Sequence, residues 1–383
     1  RARPPEPPGS ESMLEFDGNS VTERGAGGER STFAFDYAFG GDATQQEVYD
    51  GLGRPILDYA FEGYNGTILA YGQTGSGKSH SVMGSADDLG IIPRLSVELF
   101  ERIEQAPPGV SFVVSATYLE LYNEVICDLL NPGSQGLKIR QHIASGIYVE
   151  GLTEVQVSSF YELQRLITEG NKARQVAATR MNERSSRSHA VFTVRLRQQR
   201  TAAEGTVVLS AKVNIVDLAG SERADKVTTG DYADARAQEG AAINKSLSAL
   251  GTVINALSQQ ATQARGGAGL ASPRRGGGGM TSARAAPSHV PYRSSKLTRL
   301  LEESLGGRTV TVMLATLHSE PENARETLST LRYAARAKAI KNTKARNERK
   351  EERRKIAELT EQLERLKAGG GDGHEAALSQ LRS

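Results

Sequence analysis

The chain carries one cysteine, Cys127, and no tryptophan in 383 residues. A single thiol excludes an intrachain disulfide and suits a reducing compartment such as the cytosol. No apolar run approaches the roughly 18 residues a membrane span needs. The formal net charge of +2 is too small to point to nucleic acid by itself. No signal peptide is visible, and the sequence opens on Arg1 rather than Met, so it reads as a fragment. What is present, 38% hydrophobic and 24% charged residues, fits one large soluble globular domain or two modest ones.

Residues 1–30 are rich in Pro, Gly and Glu and read as a strand remnant followed by loops. Alternation near 31–40 predicts a strand, and Val48, Leu52, Ile56, Leu57 and Ala60 predict a helix over 44–63. A short apolar strand, Thr67–Tyr71, runs into a glycine-rich loop, and helical spacing resumes at Ile92, Leu95, Leu99 and Ile103. Further strands are expected at 110–119, 191–197, 206–217 and 309–317, with helices at 158–170, 239–257, 294–305 and 323–340. Such alternation predicts an α/β fold with a mostly parallel twisted sheet covered by helices on both faces. Residues 258–288 hold seven glycines, four arginines and no acid, and read as a flexible basic loop. Beyond Lys338 the chain is highly charged, and Ile356, Leu359, Leu363 and Leu366 follow heptad spacing until Gly369–Gly371.

Three segments carry chemistry. Gly72-Gln73-Thr74-Gly75-Ser76-Gly77-Lys78-Ser79 fits G-x-x-x-x-G-K-[ST], a loop whose backbone N–H groups cradle phosphates. Lys78 would reach the β- and γ-phosphates and Ser79 would offer its hydroxyl to Mg²⁺. The preceding strand and expected helix give the loop its proper setting. Asp217 ends a strand and precedes Leu218-Ala219-Gly220. An acid there can hold the water shell of Mg²⁺, and Gly220 could turn its N–H to the γ-phosphate; an ordinary Asp-capped strand end fits too. Residues 182–189, Asn-Glu-Arg-Ser-Ser-Arg-Ser-His, cluster hydroxyls beside an arginine. By composition that cluster fits water and metal ligation or a polar surface loop equally well.

Together GQTGSGKS, NERSSRSH and DLAGSE, in this order, resemble the P-loop, switch I and switch II of kinesins. GAAINKSLSALGTVINAL resembles the helix after switch II, HVPYRSSKLTRLLEESLGG the track-facing loop and helix, and ETLSTLRYAARAKAIKN the last helix and start of the neck linker. RARP resembles the adenine-side end of a first strand, so the chain would start inside that strand. The likeness spans about residues 1–345, and GIIPRLSVELF, GNKARQVAATRMNERSSRSHAVF and GSERAD are closest to the kinesin-3 transport group.

The resemblance implies a P-loop NTPase of the kinesin motor type with ATP and Mg²⁺ as its ligands. Lys78 would grip the phosphates, Ser79 and Ser186 would ligate Mg²⁺, and Asp217 would hold a metal-bound water. Ser185 and Gly220 would meet the γ-phosphate side, while Arg187 and Glu222 would pair to close switch I onto switch II. Gly72, Gln73, Thr74, Gly75, Ser76 and Gly77 would line the phosphates, and Arg1, Arg3, Pro4 and His80 would flank the adenine. Lys245, Arg293, Lys296 and Arg299 would contact an acidic microtubule. Arg265, Arg274, Arg275 and Arg284 would add salt-sensitive attraction, or be solvated surface charges.

The implied plan is a motor domain over 1–340, a neck linker over 341–350, a short charged coiled-coil helix over 351–368 and a tail over 369–383. It implies plus-end-directed movement along microtubules in the cytoplasm and cytoskeleton, with no nucleic acid and no membrane insertion. Cargo would be taken by a tail outside this sequence, and the two heptads predict a monomer. The alternative is a slow structural microtubule-bound protein, for example axonemal. Departures leave room for it: the loop after Glu222 is longer than usual, Ala237 stands where leucine is common, and the 258–288 loop carries arginine and glycine in place of lysines.

Overall fold

The computed structural model describes residues 1–7, 10–25, 28–142, 146–179, 184–202, 205–222, 233–266 and 289–351. Within these, side chains are described except at 177–179, 184–185, 202, 233–244, 264–266 and 349–351.

A small antiparallel sheet comes first, formed by β1 (Leu14–Asp17), β2 (Ser20–Arg24) and β3 (Arg30–Ala34). It corrects the reading of residues 1–30 as mostly loop. The missed signal was Asp17-Gly18-Asn19: Gly18 has φ +53°, which a two-residue hairpin turn requires. Next come α1 (Gln45–Val48), a π-helical turn (Tyr49–Gly53), α2 (Arg54–Phe61), β4 (Gly66–Gly72), α3 (Lys78–Val82) and α4 (Ile91–Glu104). Thr44 and Glu47 close a capping box at the start of α1.

The chain continues through β5 (Val110–Tyr122), β6 (Val125–Asp128), the β7–β8 hairpin (Lys138–His142 and Gly146–Glu150), β9 (Val155–Val157) and α5 (Phe160–Thr179). A 3₁₀ turn (Arg184–Arg187) leads into β10 (His189–Ala202) and β11 (Gly205–Asp217). The last elements are α6 (Ala233–Gly266), α7 (Lys296–Leu300), β12 (Val310–Thr316), α8 (Ala324–Lys338) and β13 (Glu348–Glu351).

The central sheet runs β12-β4-β11-β10-β5-β6. It is mixed. β4 pairs in parallel with β12 and β11, whereas β11–β10, β10–β5 and β5–β6 are antiparallel. Residue Ala2 bridges Leu317 in parallel, so RARP does enter the sheet as a strand end.

Side-chain alternation splits the central sheet's core in two, and a third, smaller cluster, with Met13, Leu14, Val21, Leu317 and Leu331, lies with the small sheet. Ile68, Ala70, Phe192 and Ile215 point to one face, where α2, α4 and α5 pack through Ile56, Leu95, Leu99, Leu163 and Ile167. Leu69, Tyr71, Val191 and Val216 point to the other, covered by Leu250, Val253 and Ile254 of α6, Leu297 of α7 and Tyr333 of α8. The expected helices on both faces are there.

Several expected boundaries move: α5 runs to Thr179 rather than 170, the strand expected at 191–197 runs to Ala202, and two further shifts bear on the outer face. The helix predicted at 294–305 is only Lys296–Leu300, started by a Ser295–Thr298 capping box. Gly306, at φ +78°, and the Tyr292 hydroxyl bond to the Leu305 carbonyl hold the turns that follow. At the other boundary, α6 continues to Gly266, so the first part of the predicted 258–288 loop is helical. The remainder of that loop, with Arg274, Arg275 and Arg284, lies outside the described residues, as do 352–383 with the expected heptads and tail. Arg265 falls within α6, but its side chain is not described.

Candidate nucleotide site and its links to the outer face

β4 is buried along its whole length and delivers the chain to the phosphate loop. Gly77 caps α3 with φ +102°, a conformation that L side chains rarely adopt. That geometry turns the loop back over the helix start and places Lys78 inside it. The Lys78 ammonium is buried and donates to the carbonyls of Gly72 (2.9 Å) and Gln73 (2.8 Å). Burial pushes its pKa down, opposed by Asp217 and Glu222. Ser76 donates to Gln73 O at 2.7 Å and lies 2.7 Å from the Thr316 hydroxyl, which ties the loop to the end of β12.

Asp217, at the end of β11, accepts the Ser79 hydroxyl at 2.7 Å through Oδ2. Its other oxygen, Oδ1, is buried with no hydrogen-bond partner. An orphaned carboxylate oxygen beside a P-loop serine is the donor set that a hydrated Mg²⁺ needs, so the residues fit that ion. Among the described residues no group of three His, Cys, Asp or Glu could hold a metal alone. The ion would therefore depend on serine hydroxyls, phosphate oxygens and water.

Gly220 donates its N–H to the carbonyl of Ser186 at 2.8 Å, and Ser221 donates to Gly72 O at 3.1 Å. These bonds bring the 184–187 turn, the 217–222 segment and the P-loop together, as the motif order led us to expect. A Cβ on Gly220 would run into the Thr74 hydroxyl and the Glu222 carboxylate, so a larger residue there would have to push the Glu222–Thr74 pair aside. Glu222 accepts the Thr74 N–H at 2.7 Å and the Thr74 hydroxyl as well. In this structure Glu222 is held on the P-loop side. Ser186 and Arg187 flank the same turn; the Ser185 side chain lies outside the described residues.

The residues expected around the adenine are gathered at one edge. Arg1 donates to Gln45 Oε1 (2.6 Å) and Ser81 Oγ (3.0 Å), and Arg3 donates to Gly75 O (2.9 Å). Pro4 lies against Gly41. Gln45 donates to the His80 carbonyl at 2.7 Å, and the His80 ring stands 3.9 Å from Asp88. Burial, then Arg1, lowers the His80 pKa, while Asp88 raises it.

Three residues that sequence reasoning passed over belong to the site. Arg174, on α5, reaches Asp217 Oδ2 at 3.3 Å and stands 3.8 Å from Glu120. Burial alone would lower its pKa, but Asp217, Tyr118 and Glu120 hold it above its usual value. His318 lies under the loop, 3.2 Å from Thr74 O. His189 joins Ala219 to Ser246 of α6. His189 and Arg174 both stood within strings quoted from the sequence, but nothing in the spacing gave either a role, and His318 lay in no such string.

The outer face lies across the second core. Lys245 and Arg293 are exposed, while Lys296 and Arg299 are half-buried. Arg299 is engaged by Glu302 and donates to Gln141 at 2.7 Å, so it also ties α7 to the β7–β8 hairpin. That hairpin adds Lys138, Arg140 and His142 as further exposed groups on one strand face. Past α8, Asn342 donates to the carbonyls of Ser304 and Thr309, and the segment after it lies along β11. Asn347 donates its N–H to Gly63 O (2.8 Å), Ser210 donates to Asn347 O (3.0 Å), and β13 pairs antiparallel with Thr206–Leu209. The segment expected over 341–350 thus ends in a docked strand reaching Glu351, one residue into the predicted charged helix.

The Kinesin motor domain model matches residues 10–340. Kinesin-like protein KIF13A of Homo sapiens is 44% identical over 378 residues, covering 93% of this chain and 20% of that protein. Kinesin-like protein unc-104 of Caenorhabditis elegans is 45% identical over 347 residues, 86% of this chain and 21% of that protein. The chain therefore spans about a fifth of the length of these curated relatives, which bear out the kinesin-3 wording of its motifs. Among solved structures, a fast kinesin superposes with a TM-score of 0.76 at 38% identity, covering 89% of both chains. The KIF14 dimer in complex with a microtubule superposes at 0.74 and 39% identity, covering 88% of this chain and 91% of that one. With the phosphate loop, the 184–187 and 217–222 segments and the docked strap on the same sheet, the chain belongs to the kinesin motor domain family.

Proposed function

We propose that this domain hydrolyses ATP to ADP and phosphate and couples the cycle to movement along microtubules. One observation carries the reading: P-loop, Ser186 turn and Gly220 turn are hydrogen-bonded around Lys78 and Asp217, with polar groups poised to exchange partners. ATP would draw the Lys78 ammonium off the Gly72 and Gln73 carbonyls and take its charge on the β- and γ-phosphates. Mg²⁺, when bound, offsets phosphate charge. Ser79, Ser186 and a water on Asp217 would hold it, and Arg174 keeps the Asp217 carboxylate aimed. Ser185 and Gly220 would meet the γ-phosphate side, and Glu222 would leave Thr74 for Arg187 as the switches close. Phosphoryl transfer needs positioning and charge more than a strong base. Arg1, Arg3, Pro4 and His80 are the adenine side.

Lys245, Arg293, Lys296, Arg299 and the β7–β8 hairpin form the track face in this reading, and α6 links that face to the Gly220 turn. The strap after α8 lies beyond the motor core, an arrangement that favours plus-end movement. We take the domain to be monomeric at micromolar concentration; a stable dimer in sedimentation would overturn that.

The test is the ATPase rate with and without polymerised microtubules, at low and moderate salt. A large stimulation that fades as salt rises is expected, because exposed charges are screened within about 10 Å at 0.1 M. A rate indifferent to microtubules overturns the reading.

A further inference from the structure

His189 is the first residue of β10, three positions after Ser186 of the switch turn. It is 2% exposed. Its ring touches two segments at once. Nδ1 accepts the backbone N–H of Ala219 at 3.0 Å, and Nε2 lies 2.8 Å from the hydroxyl of Ser246 on α6. The tautomer follows from the first bond. A nitrogen that accepts carries no proton, so the neutral ring must carry its proton on Nε2 and donate it to Ser246. Burial, with Arg174 and Lys78 nearby, pushes the pKa down to about 3, so the ring stays neutral throughout the physiological range.

The two ends of this link matter. Ala219 precedes Gly220, whose N–H is bonded to Ser186 and is placed to sense the γ-phosphate. Ser246 follows Lys245, an exposed residue of the track face, on a helix that packs through Leu250, Val253 and Ile254. A shift or rotation of α6 therefore moves the Ser246 hydroxyl, and the rigid imidazole carries the displacement to the Ala219 peptide. His189 thus spans α6 and the phosphate turn through one side chain.

We propose that His189 is a positioning residue that couples the seating of α6 on its track to the Ala219–Gly220 turn. The inference rests on the motor reading above. The experiment is steady-state ATPase against microtubule concentration for wild type, S246A, H189N and the double variant. Asn keeps an acceptor near the Nδ1 position but falls short of Ser246, so H189N and S246A cut the same bond. Expected for S246A is a microtubule-stimulated kcat lowered about tenfold, a typical coupling between two sites. Its basal rate and the microtubule KM should stay at wild-type values, since the track residues are intact. H189N should lower the stimulated kcat alike, and H189N/S246A should be no worse than H189N alone.

S246A at the full wild-type stimulation overturns the proposal. So does a fall in basal and stimulated rates in step, or additive losses in the double variant, either of which assigns His189 to packing. A wild type that microtubules do not stimulate overturns the motor reading, and the coupling with it. Cosedimentation of each variant with microtubules keeps a folding failure from being mistaken for lost coupling.

Discussion

At the scale of single residues, the site stores its charges on its own backbone. Lys78 waits on two carbonyls and Glu222 on Thr74. Lys78→Met should cut turnover at least about a hundredfold, because a preorganised charge aimed at the transferring group is lost. It should leave stability within about 1 kcal/mol, since the ammonium is desolvated in the folded chain and its removal relieves that cost. Turnover and thermal unfolding of the same preparation check both; near-normal turnover would remove the P-loop assignment. Lys78, Ser79, Asp217 and Gly220 were legible in the sequence because each sits at a fixed offset from a strand end. Arg174 was not. Its partners Asp217 and Glu120 come from distant strands, and only packing of α5 on β5 and β10 brings them within reach.

At the scale of elements, Glu98 shows how one helix is pinned to its neighbours. It accepts the Tyr49 hydroxyl at 2.7 Å and is paired with Arg54 and Arg102, joining α4 to the π-helical turn and α2. Burial alone would raise its pKa, but these hydrogen bonds hold it below the usual carboxylate value of 4.5. A folded pKa below the unfolded one means the contribution is complete above the unfolded value and is lost as pH falls through the folded one. Glu98→Gln should cost about 1–2 kcal/mol near neutrality. It should also flatten the loss of stability as pH falls below the ordinary carboxylate value, relative to wild type, read from urea midpoints. A variant with the same acid slope as wild type would assign that slope to other groups.

The strap offers a second test at this scale. The Lys344 ammonium lies 4.6 Å from the Tyr59 ring centroid and 5.5 Å from that of Tyr64. Lys344→Ala should loosen docking by about 0.5–1 kcal/mol. Hydrogen exchange at the Asn347 and Ser210 amides should then rise severalfold, while exchange in β4 stays unchanged.

Element boundaries were less legible than element types. β10 and β11 extend beyond their apolar stretches to Ala202 and Gly205. Arg197, Arg200 and Thr201 are exposed there, so the alternation fades while the ladder bonds persist. The same long hairpin makes half of the central sheet antiparallel, which alternation of helices and strands could not disclose.

At the scale of the whole molecule, the two cores divide the labour. One, under α2, α4 and α5, holds the sheet rigid behind the P-loop. The other carries α6, α7 and α8 and therefore the outer face with Lys245, Lys296 and Arg299. Tyr71, next to the P-loop, stacks on Tyr333 of α8 with centroids 4.1 Å apart, so within this second core one aromatic pair ties the end of β4 to α8. Tyr333→Ala should cost about 3–5 kcal/mol, as for a large buried aromatic, measured by denaturant unfolding. A loss under 1 kcal/mol would show that the stack is not a structural joint.

The strap's register has a mechanical outcome. β4 occupies the edge of β11 from Val213 to Asp217, and β13 takes the stretch from Leu209 to Thr206, running away from the P-loop end. A pull applied beyond Glu351 and directed away from β11 loads the outermost residue pair alone and peels the ladder rung by rung, as a zip opens. A pull along the strand strains all the rungs together. The same few hydrogen bonds thus form a directional fuse, yielding to a peeling pull at a lower force than to a shearing pull along the strand.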